Sequence, residues 1–147
     1  MSRFPDLPPV WFVGHLVASY VLGLIPFGDI SGEGSILMGR AIIVLGIMLI
    51  GWSAWWFWRK KTTIEPGHTP TTLIVEGPYR INRNPIYTGM LLVLVGFAIT
   101  EGTVLALLPC ITFPMIITSR FVEGEEDALR EAFGEEAESY IARTRRW

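Results

Sequence analysis

Two short polar stretches carry the residues of this chain that could do chemistry. The first is centred on Asn84-Pro85, a pair that predicts a helix start, with Asn84 as the cap and Pro85 at the first helical position. Free backbone N–H groups at such a start favour an anion, and Arg80 and Arg83 add positive charge beside it. This stretch therefore predicts an anion-binding loop, and a loop that holds lipid headgroups would show the same spacing.

The second polar stretch places two adjacent carboxylates, Glu125 and Glu126, one to two helical turns after Arg120. If the two preceding apolar segments form a hairpin, these side chains lie beside the stretch Arg80–Tyr87. Such a site offers contacts to anions and cations at the boundary between water and lipid. This arrangement suits a polar cofactor that reacts with a lipid-soluble substrate.

The composition indicates whether this chain lies in water or in a membrane. Half of the 147 residues are hydrophobic, 18% are charged, and the mean hydropathy is +0.41, whereas a soluble domain carries about a quarter charged residues. The hydrophobicity excludes intrinsic disorder, the single cysteine excludes a disulfide scaffold, and the net charge of −2 gives no indication of a nucleic-acid partner. The sequence therefore predicts a small integral membrane protein.

Four apolar stretches predict the helices that position the polar residues. They cover residues 10–26, 36–58, 86–100 and 103–118. At about 1.5 Å per residue the second is roughly 35 Å long, enough to cross a hydrocarbon core of about 30 Å, whereas the others are short for a span. We expect an all-α integral membrane protein, a single domain over residues 1–147 with about four transmembrane helices. The alternative is two spans plus a helical hairpin that dips part-way into the bilayer.

Charge predicts how these helices are oriented. The loop at 59–85 carries a surplus of positive charge, whereas the other links carry only acidic side chains. The positive-inside rule therefore places this loop in the cytoplasm. An even number of helices puts both ends of this multi-pass chain on the same side. Of the 26 charged side chains, 20 lie in this loop and in the tail at 119–147, so we expect these two segments to form a cytoplasmic active site.

Three local patterns predict finer structure. The apolar residues at 73–75 lie outside the spans, so we expect them to fold back under the helices. Pro109 and Pro114 should kink the fourth helix. Apolar residues at helical spacing predict one apolar face along the tail. These residues are Leu129, Phe133, Ala137, Tyr140 and Ile141.

Two motifs resemble those of one superfamily of membrane enzymes. They read Gly77-Pro78-Tyr79-Arg80-x-x-Arg83-Asn84-Pro85-x-Tyr87-x-Gly89 and Glu125-Glu126-x-x-Leu129-x-x-x-Phe133-Gly134-Glu135. On these residues the chain resembles the isoprenylcysteine carboxyl methyltransferase and phospholipid N-methyltransferase superfamily. The motif resemblance covers about 61–147, and the number of predicted helices extends it to the whole chain. The combined pattern is specific, whereas either motif alone would be weak.

The resemblance implies methyl transfer from S-adenosylmethionine, with S-adenosylhomocysteine as the product and without a metal. The cofactor would lie between the loop and the tail. The implied cofactor contacts are Thr71, Thr72, Leu73, Ile74, Tyr79, Arg83, Asn84, Pro85, Ile86, Tyr87 and Glu125. The superfamily often has His where this chain has Asn84, which can cap and donate hydrogen bonds but excludes an imidazole role.

Two catalytic residues are expected, and which of them acts depends on the methyl acceptor. The resemblance implies that Arg120 orients a substrate carboxylate through a bidentate pair, with Phe121 as the alternative register. Glu126 would accept the proton of an amine. A lipophilic small molecule or a membrane lipid is the expected partner, and its reacting group could be an isoprenylcysteine-like carboxylate, an amine or a thiol. No nucleic acid and no obligatory protein partner are expected.

A function of a different class fits the same loop. A non-enzymatic membrane module would bind anionic lipid through the basic loop at 59–85. Its affinity would follow ionic strength and lipid charge and would be indifferent to Tyr87 and Glu125.

Overall fold

The computed structural model describes residues 6–60 and 71–147, and within these residues the chain is helical without a strand. The α-helices are α1 Pro8–Gly23, α2 Glu33–Lys60, α3 Pro85–Glu101, α4 Leu108–Ile117, α5 Glu123–Phe133 and α6 Glu135–Arg143. Short 3-10 helices occupy Gly77–Arg80 and Val104–Leu107, and a π-helical turn occupies Thr118–Val122. The predicted all-α class is confirmed. The predicted loop residues at 61–70 lie outside the described part.

Two helical segments are long and apolar enough to cross a membrane. They are α2 and the continuous run Val104–Phe133, while α3 is apolar but has 17 residues. The apolar part of the run ends at Ile117, because the polar residues at 118–120 follow it. Large apolar side chains of α2 are exposed, Leu37 by 71%, as a lipid-facing helix requires. The prediction of four spans with a cytoplasmic loop remains a prediction.

Helices α2 and α3 pack backbone against backbone at two pairs of glycines. A Cβ atom on Gly96 would lie 2.5 Å from the carbonyl oxygen of Gly39, and one on Gly46 would lie 2.6 Å from that of Gly89. Small residues allow this close approach, which is how apolar helices associate when lipid removes the hydrophobic driving force between them. This contact holds the first turns of α3 close to α2, while Tyr87 packs with Phe113, Ile117 and Phe121.

The two links between helices meet at one end of the bundle. Gly102 ends α3 in the left-handed conformation with φ 76°. Its carbonyl accepts the Ile30 N–H at 2.8 Å, and the Gly28 carbonyl accepts the Val104 N–H at 2.9 Å. The apolar stretches at 86–100 and 103–118 are therefore joined by a short link. The end of α2, the start of α3 and the start of α5 consequently lie at the opposite end.

The two prolines of the fourth helix differ in their effect. Pro109 is the second residue of α4, a position where its missing N–H breaks no helical hydrogen bond. The prediction that Pro109 kinks this helix is therefore wrong. Pro114 lies inside α4, and the π-helical turn begins four residues after it. Such turns mark departures from regular helical bonding and occur often at functional sites.

The tail folds onto the bundle as two helices. Gly134, with φ 51°, separates α5 from α6. Ala137 is fully buried and Tyr140 is buried, so the predicted apolar face of the tail is confirmed. Ile74 is buried as well, whereas Leu73 and Val75 are half-buried, so the predicted inward fold of 73–75 is confirmed for Ile74.

Candidate active site

The Tyr87 hydroxyl joins the two sequence motifs. Tyr87 lies in the first turn of α3 and Glu125 in the first turn of α5, and the Tyr87 hydroxyl donates a 2.6 Å hydrogen bond to Glu125 Oε1. Glu125 lies two turns beyond the apolar part of its helix. Burial raises the pKa of Glu125 to about 7, the Tyr87 hydrogen bond opposes this shift, and the Glu126 charge adds to it. Glu125 is therefore a carboxyl group that changes charge near neutral pH.

Tyr79 adds a buried hydroxyl without a partner. The 3-10 helix Gly77–Arg80 holds its ring edge-on against Phe57, and the Tyr140 hydroxyl fixes its backbone by donating to the Tyr79 carbonyl at 2.7 Å. Burial raises the Tyr79 pKa well above its usual value, with Tyr140 and Glu125 adding to the shift. The hydroxyl therefore stays protonated, and within the described residues it has no hydrogen-bond partner.

Trp56 presents a second buried donor beside the same turn. Gly77 has φ 59°, and a side chain there would collide with the indole Nε1 of Trp56. The Trp56 N–H is buried and finds no acceptor among the described residues. Buried polar groups are almost always hydrogen-bonded in native proteins. The two unpartnered groups, on Tyr79 and Trp56, thus indicate a place for polar atoms from a bound molecule.

Glu126, the second carboxylate, is engaged in ion pairs. Arg146 reaches it through Nε at 2.9 Å and Nη2 at 2.7 Å, and Arg83 through Nη2 at 3.0 Å. The Glu126 side chain is only 5% exposed. Burial alone would raise its pKa, but the two guanidinium groups hold the pKa of Glu126 below its usual value. Glu126 is therefore ionised and saturated with donors.

Residues 83 and 84 are bound to the end of the tail. Arg83 donates to the carbonyls of Ile141, at 2.6 Å, and of Thr144. Asn84 precedes Pro85 at the start of α3 as predicted, but its side chain makes no capping hydrogen bond. The expectation of a side-chain cap is wrong, because the Asn84 amide instead donates to the Arg146 carbonyl at 3.0 Å.

The sequence of the chain matches one known protein family. A sequence model described as phospholipid methyltransferase matches residues 35–136, which is more than half of the chain and includes both motifs. The chain belongs to the phospholipid methyltransferase family. This confirms the superfamily predicted from the motifs. No curated protein and no solved structure matches the chain.

Membership in the phospholipid methyltransferase family implies S-adenosylmethionine as the methyl donor, and the site fits such a molecule. Its amino-acid end carries a carboxylate and an ammonium group, and its ribose and adenine carry further polar atoms. Tyr79 and Trp56 offer unpartnered donors to acceptor atoms, and Glu125 offers a carboxylate to a cation. Within the described residues, no group of three or more His, Cys, Asp or Glu side chains could hold a metal ion.

The other residues predicted to contact the cofactor differ in exposure. Thr71 is exposed, Thr72 and Leu73 are half-buried and Ile74 is buried. Pro85 is buried at the first position of α3, and Ile86 packs against the core cluster. The cluster comprises Tyr87, Leu94, Phe113, Ile117, Phe121 and Val122.

Arg120 lies in a different constellation from the two glutamates. Its Nε and Nη2 donate to the two carboxylate oxygens of Asp6 at 3.1 and 3.0 Å, and its guanidinium stacks 4.9 Å from the Trp11 ring. The Trp11 indole also donates to Asp6 at 2.9 Å. This cluster joins the start of α1 to the π-helical turn. Phe121, the alternative register for this role, is buried in the core.

A basic cleft of about 400 Å³ lies between the residues that precede α3 and the end of α6. Its lining consists of Val75, Arg80, Tyr140, Arg143 and Thr144. Both arginines are exposed. The cleft therefore presents positive charge to an anionic group.

Sequence reasoning did not identify Arg146, Asp6 or Trp56 as part of these clusters. A signal existed for Arg146, since two adjacent carboxylates near a membrane need counter-charges and the chain ends in several arginines. Trp56 had no distinguishing signal, because nothing local separates it from Trp55 and Trp58. Asp6 had no signal, because its partner Arg120 lies 114 residues away.

Proposed function

We propose that this protein transfers a methyl group from S-adenosylmethionine to a lipophilic or membrane-embedded acceptor. Family membership supports methyl transfer, and the apolar helices support a lipid-soluble acceptor. The contact between Tyr87 and Glu125 is the single observation that carries the proposal, because it brings the two motifs into one buried polar site.

In this proposal the cofactor lies among Tyr79, Tyr87, Trp56 and Glu125. The cofactor supplies a methyl group that its sulfonium already activates. The protein therefore needs to provide proximity, in-line alignment and exclusion of water. Tyr79 and Trp56 donate hydrogen bonds to polar atoms of the cofactor, and ionised Glu125 binds the positively charged part of the cofactor. Residues 71–74 and 83–86, which the motif resemblance assigns to the cofactor, remain proposed contacts.

The role of the carboxylates depends on the acceptor. An amine is protonated at neutral pH, so a base must first take up its proton, and the N–C bond then forms as the S–C bond breaks and S-adenosylhomocysteine leaves. Glu126 was expected to accept that proton, but its ion pairs with Arg83 and Arg146 hold it ionised and occupied. We therefore assign proton acceptance to Glu125, whose pKa of about 7 suits a general base.

A carboxylate acceptor is ionised at neutral pH and needs no base. Arg120 would then orient it, and the substrate would have to displace Asp6 from the same two guanidinium nitrogens. The contact with Asp6 supports this role, because the Arg120 guanidinium donates to both oxygens of that carboxylate. The cytoplasmic side is proposed for the whole site, on the positive charge of the 59–85 loop.

Binding of anionic lipid without catalysis is a second candidate function, and the basic cleft favours it. Arg80 and Arg143 could hold a phosphate-bearing headgroup there. This function predicts that lipid binding weakens as salt is added and that it weakens in an Arg80→Ala variant. Replacement of Glu125 should leave lipid binding unchanged.

The test is transfer of radiolabelled methyl from S-adenosylmethionine into total lipid and small-molecule extracts by the purified protein. Label in an organic extract supports the proposal, and its absence from every extract contradicts it. Base-labile label identifies a methyl ester, whereas base-stable label identifies N- or S-methylation. Arg120→Ala should remove base-labile label, and Glu125→Gln, assayed at saturating S-adenosylmethionine because it also weakens cofactor binding, should remove label from an amine.

A further inference from the structure

Arg146 makes the two closest contacts to the buried carboxylate of Glu126, yet it lies beyond the residues that match the family. Its guanidinium contacts both Glu126 oxygens, at 2.9 Å through Nε and 2.7 Å through Nη2. Arg83 contacts one of those oxygens at 3.0 Å, and Arg130 approaches the other only to 3.9 Å. The family match ends at residue 136. Family membership therefore assigns no role to Arg146.

The backbone around Arg146 also bridges the two motifs. The Arg146 carbonyl accepts from the Asn84 amide at 3.0 Å, and the Arg145 carbonyl accepts the Arg83 N–H at 2.8 Å. Trp147 donates from its indole to Thr118 Oγ1 at 3.2 Å. Residues 145–147 thus connect the start of α3 to the turn that precedes α5.

The adjacent glutamates explain why Glu126 needs the ion pair with Arg146. An unpaired carboxylate in a buried position costs several kcal/mol, and a charge on Glu126 also disfavours a charge on Glu125. Arg146 and Arg83 together neutralise Glu126 and hold its side chain on the tail side. Glu125 is thereby left to face Tyr87.

We propose that Arg146 is a positioning residue of the methyl-transfer site, which acts through Glu126 to present Glu125 and Tyr87 to the cofactor. This inference rests on the proposed function. The neighbouring arginines do not share the role, because the side chains of Arg143 and Arg145 are exposed. Arg146 itself touches neither the cofactor nor the acceptor.

The test compares Arg146→Ala, Arg146→Lys and the control Arg145→Ala by calorimetric titration with S-adenosylmethionine from pH 6 to pH 8.5. Loss of the pair should weaken binding about tenfold or more in Arg146→Ala, and Arg146→Lys should recover part of it. Arg145→Ala should bind like the parent protein.

The pH profile separates positioning from general stability. Glu125 is faced by Tyr87 from α3, by Tyr79 from the 3-10 helix and by Glu126 on its own helix. Removing the Arg146 charge leaves Glu126 less neutralised, so the midpoint of the binding profile should move to higher pH. A merely structural role would lower the amount of folded protein without moving this midpoint.

A double variant keeps the test informative if Arg146→Ala does not fold. Glu126→Gln removes the stranded charge, so Glu126→Gln and Glu126→Gln/Arg146→Ala should bind with affinities within about twofold of each other. A further large loss in the double variant would overturn action through Glu126. Equal affinity and an unchanged midpoint in Arg146→Ala would also overturn the inference. Failure of the parent protein to bind S-adenosylmethionine would instead overturn the proposed function.

Discussion

The Tyr87 hydroxyl and the Glu125 carboxylate, 38 residues apart in sequence, form a 2.6 Å hydrogen bond between the first turns of α3 and α5. The close glycine contacts of α2 and α3 support it from one side. The Arg83–Glu126–Arg146 cluster supports it from the other. The carboxylate that binds Tyr87 is thus distinct from the one that holds the tail in place.

Replacing Tyr87 with Phe should weaken binding of S-adenosylmethionine about ten- to hundredfold. The substitution removes the donor to a buried carboxylate, and hydrogen bonds to charged groups contribute about 1.5–3 kcal/mol. Calorimetric titration measures the change. Tyr20→Phe, on an exposed side chain of α1, is the control, and similar affinities for the two variants would refute the role of the Tyr87 hydroxyl.

Binding of S-adenosylmethionine should strengthen as pH rises through about 7. Glu125 has a pKa of about 7 because it is buried, so its anionic form, which attracts a cation, predominates only above that pH. Titrations between pH 6 and 8.5 should show this transition in the parent protein and not in Glu125→Gln. A flat parent profile would show that Glu125 does not contact the charged part of the cofactor.

The same group should make folding less favourable as pH rises from about 4.5 to 7. The raised pKa of Glu125 means that the folded protein still holds a proton that the unfolded chain, near the usual 4.5, has released. This contribution is fully present below about pH 4.5 and is lost above about pH 7. Thermal unfolding in detergent should show a smaller decline across this window in Glu125→Gln than in the parent protein.

Gly96→Ala should destabilise the protein, whereas Gly51→Ala should not. The added Cβ at residue 96 would lie 2.5 Å from the Gly39 carbonyl oxygen, and residue 51 has nothing within 4 Å. Overpacking costs about 1–3 kcal/mol, while alanine at an open helical site gains up to about 1 kcal/mol. Melting temperatures in detergent provide the measurement. Equal melting temperatures would contradict backbone packing of α2 on α3.

Arg120→Ala should leave cofactor affinity within about twofold of the parent value. Its contacts are to Asp6 and Trp11, and the Arg120–Asp6 pair is about half exposed, so little stability depends on it. For a carboxylate acceptor the variant should lower kcat/KM, and Asp6→Asn should lower KM by removing the competing carboxylate. A cofactor affinity that falls with Arg120→Ala would place Arg120 in the cofactor site instead.

The pairing of the two motifs could be anticipated from sequence. Which of Glu125 and Glu126 pairs with Tyr87 and which pairs with arginines could not. The short Glu101-Gly102 link predicts a helical hairpin, and a hairpin brings residue 87 near residue 125. Glu126 is the glutamate that pairs with Arg146, and the position of Arg146 follows from the break at Gly134 and the packing of Tyr140 under Tyr79. Those contacts are tertiary and leave no periodic pattern.

The prolines and the cap show a similar limit. Asn84-Pro85 correctly predicted where α3 begins, because proline at the first helical position is a local preference. The destination of the Asn84 side chain was set by an acceptor 62 residues away. Pro109 marks a helix start rather than a kink, since the chain turns through a 3-10 helix immediately before it.

The most direct test of the account is titration of the purified protein with S-adenosylmethionine, with Glu125→Gln and Glu131→Gln measured in parallel. Both positions lie on α5, and Glu131 is exposed. The account predicts saturable binding to the parent protein and to Glu131→Gln, with affinity at least tenfold weaker in Glu125→Gln. Absence of binding to the parent protein, or equal binding by all three proteins, would contradict a cofactor site at Tyr87 and Glu125.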